Sequence, residues 1–184
     1  MAPSGTGKST LLHMLAGIDH PSSGSISLDN QENSNQCFHK KTELLKNSIS
    51  IVLQQPYLIN ELTVLENIML KGIIEHGHTN KDMLHALQLL KEIGLENRAH
   101  SLPNSLSGGQ QQKISILRAI FRPPHFLLAD EPTGNLDKSS GNQIIELLLQ
   151  YQKKYAMGLI ISTHDTNIAK QCNTIVQIEN QKLI

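Results

Sequence analysis

The sequence is poor in cysteine and has no excess of either charge. Two cysteines, Cys37 and Cys172, are too few for a disulfide framework and indicate a reducing compartment. Sixteen basic and sixteen acidic residues give a formal net charge of zero, whereas a protein that binds nucleic acid usually carries a basic surplus. We therefore expect no nucleic-acid partner, and we interpret Lys40, Lys41 and Lys46 as part of a solvated face.

The sequence also lacks a long apolar run. No stretch reaches the roughly 18 residues that a membrane-spanning helix needs, and no signal peptide is recognisable. A role at a membrane is therefore expected to require a partner subunit. The apolar content of 39% is enough for a packed core, and the length suits one domain of roughly 100–200 residues.

A glycine-rich stretch at the start of the chain predicts a phosphate-binding loop. It is followed by apolar residues at helical spacing up to Ile18. Small residues let backbone N–H groups point at phosphate oxygens, and the helix N-terminus adds partial positive charge. Lys8 is expected to reach the β- and γ-phosphates, and the Ser9 hydroxyl to ligate Mg²⁺. The predicted ATP-binding residues are Ala2, Pro3, Ser4, Gly5, Thr6, Gly7, Lys8, Ser9 and Thr10, with Ala2 in place of the motif's first glycine.

The position of this loop at the start of the chain leads to a further expectation. In phosphate-loop folds a buried strand runs into the loop, and no residues precede Met1 to form one. We expect the chain to be truncated or its start to be placed too late, so that the N-terminal strands are missing. An alternative is a non-catalytic remnant that no longer binds ATP.

Hydrophobic periodicity predicts strands that alternate with helices. The predicted strands are 25–28, 48–53, 125–129, 158–162 and 174–178, and the predicted helices are 8–18, 61–74, 81–93, 107–121 and 139–155. Residues 30–46 are polar and predict a loop and a short helix. This alternation indicates an α/β fold with a mostly parallel sheet and helices on both faces. Residues 57–105 contain no predicted strand, which indicates an inserted helical subdomain whose first helix is capped by Thr63 and Glu66.

Several polar residues follow predicted strands. Asp130 ends an apolar run, where a carboxylate can hold Mg²⁺, and Glu131 beside it can act as general base on a water molecule. Gln54 follows another strand, where its amide can contact Mg²⁺ or that water. His164 follows a third strand and can donate to the γ-phosphate. For each of these residues a polar strand exit or an ordinary surface position is the alternative.

A second glycine-containing turn, Leu106-Ser107-Gly108-Gly109-Gln110, opens a predicted helix. It predicts a second anion site. One nucleotide needs only one phosphate loop, so a second site indicates that another protomer completes the first; an ordinary helix cap is the alternative. Asp137 lies shortly after Glu131 and is expected either to contact the opposite protomer or to cap the next helix.

Together these residues resemble the ATP-binding subunit of ABC transporters, which are P-loop NTPases with a RecA-like core. Pro3–Thr10 matches the Walker A motif, Leu106–Gln110 the signature motif and Phe126–Glu131 Walker B. Gln54, Asp137 and His164 match the Q-loop, the D-loop and the switch histidine. The motifs follow the family's order over nearly the whole chain. In family members an aromatic residue ahead of Walker A stacks on adenine, and this chain does not include that region.

The resemblance implies an ATPase that uses ATP with Mg²⁺. Ser9, Gln54 and Asp130 are the implied metal ligands, and Glu131, His164 and Gln54 the implied catalytic residues. The implied assembly is a head-to-tail homodimer in which Ser107, Gly108, Gly109 and Gln110 face the partner's ATP. Integral membrane permease subunits are the implied partners, and the implied location is peripheral, at the cytoplasmic face of the inner membrane.

Four stretches resemble the lipoprotein-releasing (LolD-type) branch of the family. They are residues 3–13, Gln54–Gln55, Leu62–Asn67 and Thr133–Asp137. The resemblance implies that the subunit powers release of lipoproteins from the bacterial inner membrane. Macrolide or peptide exporters and cell-division ATPases share much of this pattern and remain alternatives. A soluble ABC protein of DNA repair or translation is disfavoured by the neutral charge.

Overall fold

The computed structural model describes residues 6–28, 31–32, 48–179 and 182–183. The helices are α1 (Lys8–Leu15), α2 (Val64–His76), α3 (Asn80–Glu92), α4 (Gly108–Ile120), α5 (Lys138–Tyr155) and α6 (Thr166–Ala169). The strands are β1 (Ser27–Leu28), β2 (Gln31–Glu32), β3 (Ile49–Val52), β4 (Phe126–Asp130), β5 (Gly158–Ser162), β6 (Ile178–Glu179) and β7 (Lys182–Leu183). The predicted α/β fold is thereby confirmed.

A parallel sheet in the order β3-β4-β5 forms the centre of the described structure. In this register Val52 lies opposite Ala129, and Asp130 lies opposite Ser162. Strand β4 is buried over its last four residues, in agreement with its continuous apolar sequence. Because parallel strands end at the same edge of a sheet, the polar residues that follow them are brought together there.

One edge of this sheet is open in the part of the chain that the structure describes. Strand β5 pairs with β4 on one side, and a groove of about 420 Å³ lies on its other side. The groove is lined by Leu12 of α1, by Ile160 of β5 and by Ile175 and Val176. Ile160 is exposed despite its central position in the strand. Within the described structure, the edge strand β5 therefore presents apolar side chains and unpaired backbone N–H and C=O groups, with which another strand could pair.

The last predicted strand is wrong over most of its length. Residues 174–177 have no regular structure, and only Ile178 of the predicted segment 174–178 belongs to a strand. That strand, β6, pairs antiparallel with β7, and each of these two strands is two residues long. The alternating sequence around Ile175 and Val176 resembles a strand, but a strand forms only beside a neighbour that supplies backbone hydrogen bonds. The loop and helix predicted for residues 30–46 fall largely outside the described residues.

Residues 57–105 contain helices and no strand in the structure, which describes this range completely. The predicted capping box at the start of α2 is confirmed. Thr63 accepts from the Glu66 N–H at 3.2 Å, and Glu66 accepts from the Thr63 N–H at 2.8 Å. Helix α2 packs against α3 and α4. One apolar core connects this block with the sheet; it includes Ile68, Leu89, Ile116, Leu127 and Ile144.

Candidate active site

Helix α1 begins directly after a glycine in the left-handed region. Gly7 has a φ of 92°, which a residue with a Cβ rarely adopts. No side chain among the described residues caps this end of α1, so its first-turn N–H groups suit an anionic ligand. Ser9 and Thr10 are exposed on that first turn. The predicted loop residues Ala2, Pro3, Ser4 and Gly5 lie outside the described residues.

Lys8, Glu131 and His164 meet at this end of α1. The Nζ of Lys8 lies 3.0 Å from Oε1 of Glu131, and both side chains are largely buried, at 6% and 15% exposure. The Nδ1 of His164 lies 3.2 Å from the other carboxylate oxygen of Glu131. A buried ammonium needs a paired charge, and here a single carboxylate contacts both a cation and a titratable ring. The structure thus assembles three of the residues that were predicted separately.

Ser162 holds the two acidic residues at the end of β4. Its hydroxyl donates to Oδ1 of Asp130 and accepts from the backbone N–H of Glu131 at 3.0 Å. The same N–H also donates to the Ser162 carbonyl at 3.1 Å. Sequence reasoning missed Ser162, because only the pairing of β4 with β5 places it opposite Asp130.

The backbone of Glu131 is strained. Its φ is 40°, in the left-handed region, which costs a residue with a Cβ about 1–2 kcal/mol. Such a conformation persists when surrounding contacts fix it, and the hydrogen bonds from Glu131 to Ser162 are such contacts. The turn directs the carboxylate towards Lys8 and His164.

Gln54 lies over the turn that follows β4. Its Nε2 donates to Oδ1 of Asn135 at 3.2 Å. A Cβ on Gly134 would come within 2.7 Å of the same Nε2, so the close approach depends on the absence of a side chain there. Asn135 carried no signal as a functional residue in the sequence, because its contact joins positions 81 residues apart.

The Ser107 turn forms a capping box at the start of α4. The Ser107 hydroxyl accepts from the Gln110 N–H at 3.3 Å, and the Gln110 side chain accepts from the Ser107 N–H at 3.0 Å. Gly109 packs closely beside the next helix, because an added Cβ would lie 3.3 Å from Ser140. The turn is therefore an ordered helix N-terminus, as the alternative interpretation predicted, and Gly108 is exposed on it.

Asp137 caps α5 beside this turn. Its Oδ1 accepts from the N–H groups of Ser139 and Ser140, both at 3.0 Å. Hydrogen bonds from Ser140, first from its side chain and then from its backbone, lower the pKa of the exposed Asp137 carboxyl. Asp137 therefore caps α5, as the alternative interpretation predicted. Ser140, which donates to Asp137, also lies beside Gly109.

The sequence model of the ABC transporter family matches residues 1–134. The chain belongs to the ABC transporter family. Its relatives include the lipoprotein-releasing system ATP-binding protein LolD of Legionella pneumophila (strain Lens), which is 38% identical over all of this chain and 81% of the relative. LolD of Hydrogenovibrio crunogenus is 39% identical over 95% of this chain and 76% of the relative.

A solved structure of an ABC cassette gives the same assignment. A dimeric post-hydrolysis state of the ATP-binding cassette MJ0796, bound to ADP and Pi, aligns with a TM-score of 0.83 and 37% identity, over 92% of this chain and 75% of that one. The chain is thus an ATP-binding and ATP-hydrolysing subunit of an ABC transporter. Its membership implies dimerisation and membrane partners. No helix in the described part of the chain is long and apolar enough to cross a membrane.

The donor set of this ABC subunit fits Mg²⁺. The Ser9 hydroxyl, the Asp130 carboxylate and the Gln54 amide supply oxygen, which is the ligand atom Mg²⁺ prefers. Among the described residues no group of three or more His, Cys, Asp or Glu side chains is arranged to hold a metal.

Proposed function

We propose that this ABC subunit powers the release of lipoproteins from the bacterial inner membrane. The observation that carries the proposal is its 38–39% identity, over 95–100% of its length, to relatives named LolD. The test is replacement of LolD in Legionella pneumophila depleted of its own copy, with lipoprotein retention in the inner membrane as the readout. Restored transfer to the outer membrane is expected. Retention despite normal expression would favour a macrolide, peptide or cell-division substrate instead.

We further propose that ATP binds at the start of α1, with Lys8 and the first-turn N–H groups holding its phosphates. The γ-phosphate then competes with Glu131 for the Lys8 ammonium, which the structure places 3.0 Å from that carboxylate. Once displaced, Glu131 accepts the proton of the attacking water as the new P–O bond forms and the bond to ADP breaks. His164 donates to the γ-phosphate, and Thr6, just before α1, and Thr10, in its first turn, complete the cradle.

Bound Mg²⁺, held by Ser9, Asp130 and Gln54, would neutralise charge on the β- and γ-phosphates. The hydrogen bond that Ser162 donates to Asp130 orients this carboxylate, as partners of metal-binding carboxylates commonly do. Gln54, through its contact with the ion or the attacking water, relays the nucleotide state to the membrane subunits.

We propose a head-to-tail homodimer in which the Ser107–Gln110 turn covers the partner's ATP. The dimeric state of the similar cassette supports this arrangement. Within one subunit Gly108 lies beside Leu136 and Gly109 beside Ser140, so the starts of α4 and α5 adjoin. A helix N-terminus there offers N–H groups to the partner's γ-phosphate.

We propose that the chain is one ATPase domain with a helical subdomain at about residues 57–105 that contacts the permease subunits. Four exposed apolar side chains support this role: Tyr57, Ile74, Leu84 and Leu102 are 67%, 73%, 65% and 49% exposed. Contact with permeases would place the subunit peripherally at the cytoplasmic face of the inner membrane.

A further inference from the structure

Arg118, near the end of α4, holds the backbone just after Gln54. Its Nη1 donates to the carbonyl of Tyr57 and its Nη2 to the carbonyl of Pro56, each at 2.8 Å. Two N–H groups of one planar guanidinium thus hold two consecutive peptide units. Lysine lacks this fork and supplies only a point donor. The contact is therefore specific to arginine in its geometry.

The peptide that Arg118 holds is strained. Tyr57 has a φ of 44°, in the left-handed region, and its side chain is 67% exposed. Little burial of the ring offsets this conformation, which is unfavourable for a bulky residue. Strained backbone of this kind persists where the surroundings fix it and is frequent at functional sites. The two hydrogen bonds from Arg118 supply that restraint.

A second side chain of α4 holds the same segment on the other side of Gln54. Gln112 is 1% exposed, and its Nε2 donates to the carbonyl of Leu53 at 3.1 Å. Helix α4 therefore contacts the backbone both before and after Gln54. The same helix begins at the Ser107 turn. One continuous helix thus connects the Gln54 segment with the Ser107 turn.

We propose that Arg118 is a positioning residue that keeps Gln54 in register with the Ser107 turn by holding Tyr57 in its strained conformation. The proposal rests on the proposed roles of Gln54 and Ser107 at ATP. Arg118 lies on α4, and its side chain contacts the segment after Gln54. Its loss should therefore reduce turnover while leaving ATP binding by Lys8 nearly intact.

The first test compares Arg118→Met and Arg118→Lys with the matched control Arg122→Met. Arg122 lies just beyond the same helix and pairs with Glu75 and Asp82. Arg118→Met should lower kcat about tenfold or more with KM and the Kd for a fluorescent ATP analogue within about twofold. Arg118→Lys should fall between wild type and Arg118→Met, and Arg122→Met should match wild type. Wild-type kcat in folded Arg118→Met would overturn the proposal.

The second test asks whether Arg118 acts by stabilising the strained backbone conformation of Tyr57. Glycine adopts positive φ freely, so in the Tyr57→Gly background the kcat loss caused by Arg118→Met should shrink at least about threefold. If Arg118→Met lowers kcat equally in the wild-type and Tyr57→Gly backgrounds, the substitution only removes packing. That result would overturn the proposal. If Arg118→Met does not fold, Arg118→Lys takes its place in the same cycle.

Hydrogen exchange separates this proposal from the proposed function. In Arg118→Met the amides of residues 53–55, 57 and 58 should exchange faster, and in Arg122→Met they should not. If exchange is faster in Arg118→Met while kcat is unchanged in Gln54→Ala, Arg118 keeps its positioning role and Gln54 has no part in catalysis. Unchanged exchange in Arg118→Met would overturn the positioning role whatever the kinetics of Gln54→Ala.

Discussion

The Nζ of Lys8 lies 3.0 Å from Oε1 of Glu131, across the space between the start of α1 and the end of β4. The first residue is the proposed phosphate ligand and the second the proposed general base. Their pairing keeps both charges balanced in a largely buried position. In the proposed mechanism a γ-phosphate displaces this carboxylate from Lys8, which would link the arrival of substrate to the release of the base.

Glu131→Gln should retain ATP binding and lose turnover. The amide still reaches Lys8 but does not accept a proton, so we expect kcat to fall by about 10²- to 10⁴-fold. With ATP and Mg²⁺ the variant should accumulate as a dimer, measured by light scattering after size exclusion. Glu146→Gln, on an exposed position of α5, is the matched control and should behave as wild type. Rapid hydrolysis by Glu131→Gln would exclude Glu131 as the base.

Gly134→Ala should displace Gln54. The added Cβ would lie 2.7 Å from Nε2 of Gln54, so the side chain must leave Asn135. We expect reduced kcat with little loss of stability, since the end of a flexible side chain moves readily. The measurement is ATPase kinetics in wild-type and Gln54→Ala backgrounds. Because the steric conflict needs the glutamine side chain, an equal loss of kcat in both backgrounds would contradict this explanation.

The stability of the subunit should fall above about pH 10. Burial, the charge of Glu92 and its hydrogen bond raise the pKa of Tyr151, and the hydrogen bond to Glu92 raises that of Lys154. Groups with raised pKa values contribute stability below their unfolded-state values and lose it as pH rises through their folded-state values.

The urea midpoint, measured from pH 8.5 to 11.5, checks this dependence. Tyr151→Phe should flatten the alkaline decline and, at neutral pH, cost about 1 kcal/mol through the lost bond to Glu92. Tyr57→Phe, which removes the hydroxyl of an exposed tyrosine, is the control that leaves this bond in place. A decline that is equally steep in Tyr151→Phe would assign the pH dependence to other groups.

Thr63→Ala should destabilise the helical block by about 1 kcal/mol through loss of the N-cap. Hydrogen bonds from the Thr63 side chain and then its backbone lower the pKa of Glu66. Their stabilisation is present above the unfolded-state pKa of about 4.3 and is lost as pH falls through the folded-state value. Thermal unfolding at pH 7 and pH 3.5 should therefore show a larger gap between wild type and Thr63→Ala at pH 7. Thr79→Ala, at the similar cap of α3, provides a comparison without Glu66.

Much of the site could be predicted because its residues are recognisable from their immediate sequence neighbours. Lys8 follows a glycine turn, and Asp130 and Glu131 follow an apolar strand, so residue type and position suffice. Ser162, Asn135 and Arg118 act through contacts with residues 31 to 81 positions away. No periodicity or motif encodes such a contact, and these three were therefore not predicted.

The sequence by itself determined the order of helices and strands, the capping box of Thr63 and Glu66, and the family. Each depends on residues close together in the chain, where spacing translates directly into geometry. Only the tertiary structure decided that Lys8 pairs with Glu131 and that Tyr57 is held in a strained turn. It also decided that residues 174–177 do not form a strand. An ion pair, a restrained turn and a strand each require a partner from a distant part of the chain. The local sequence does not specify that partner, so only the fold decides these outcomes.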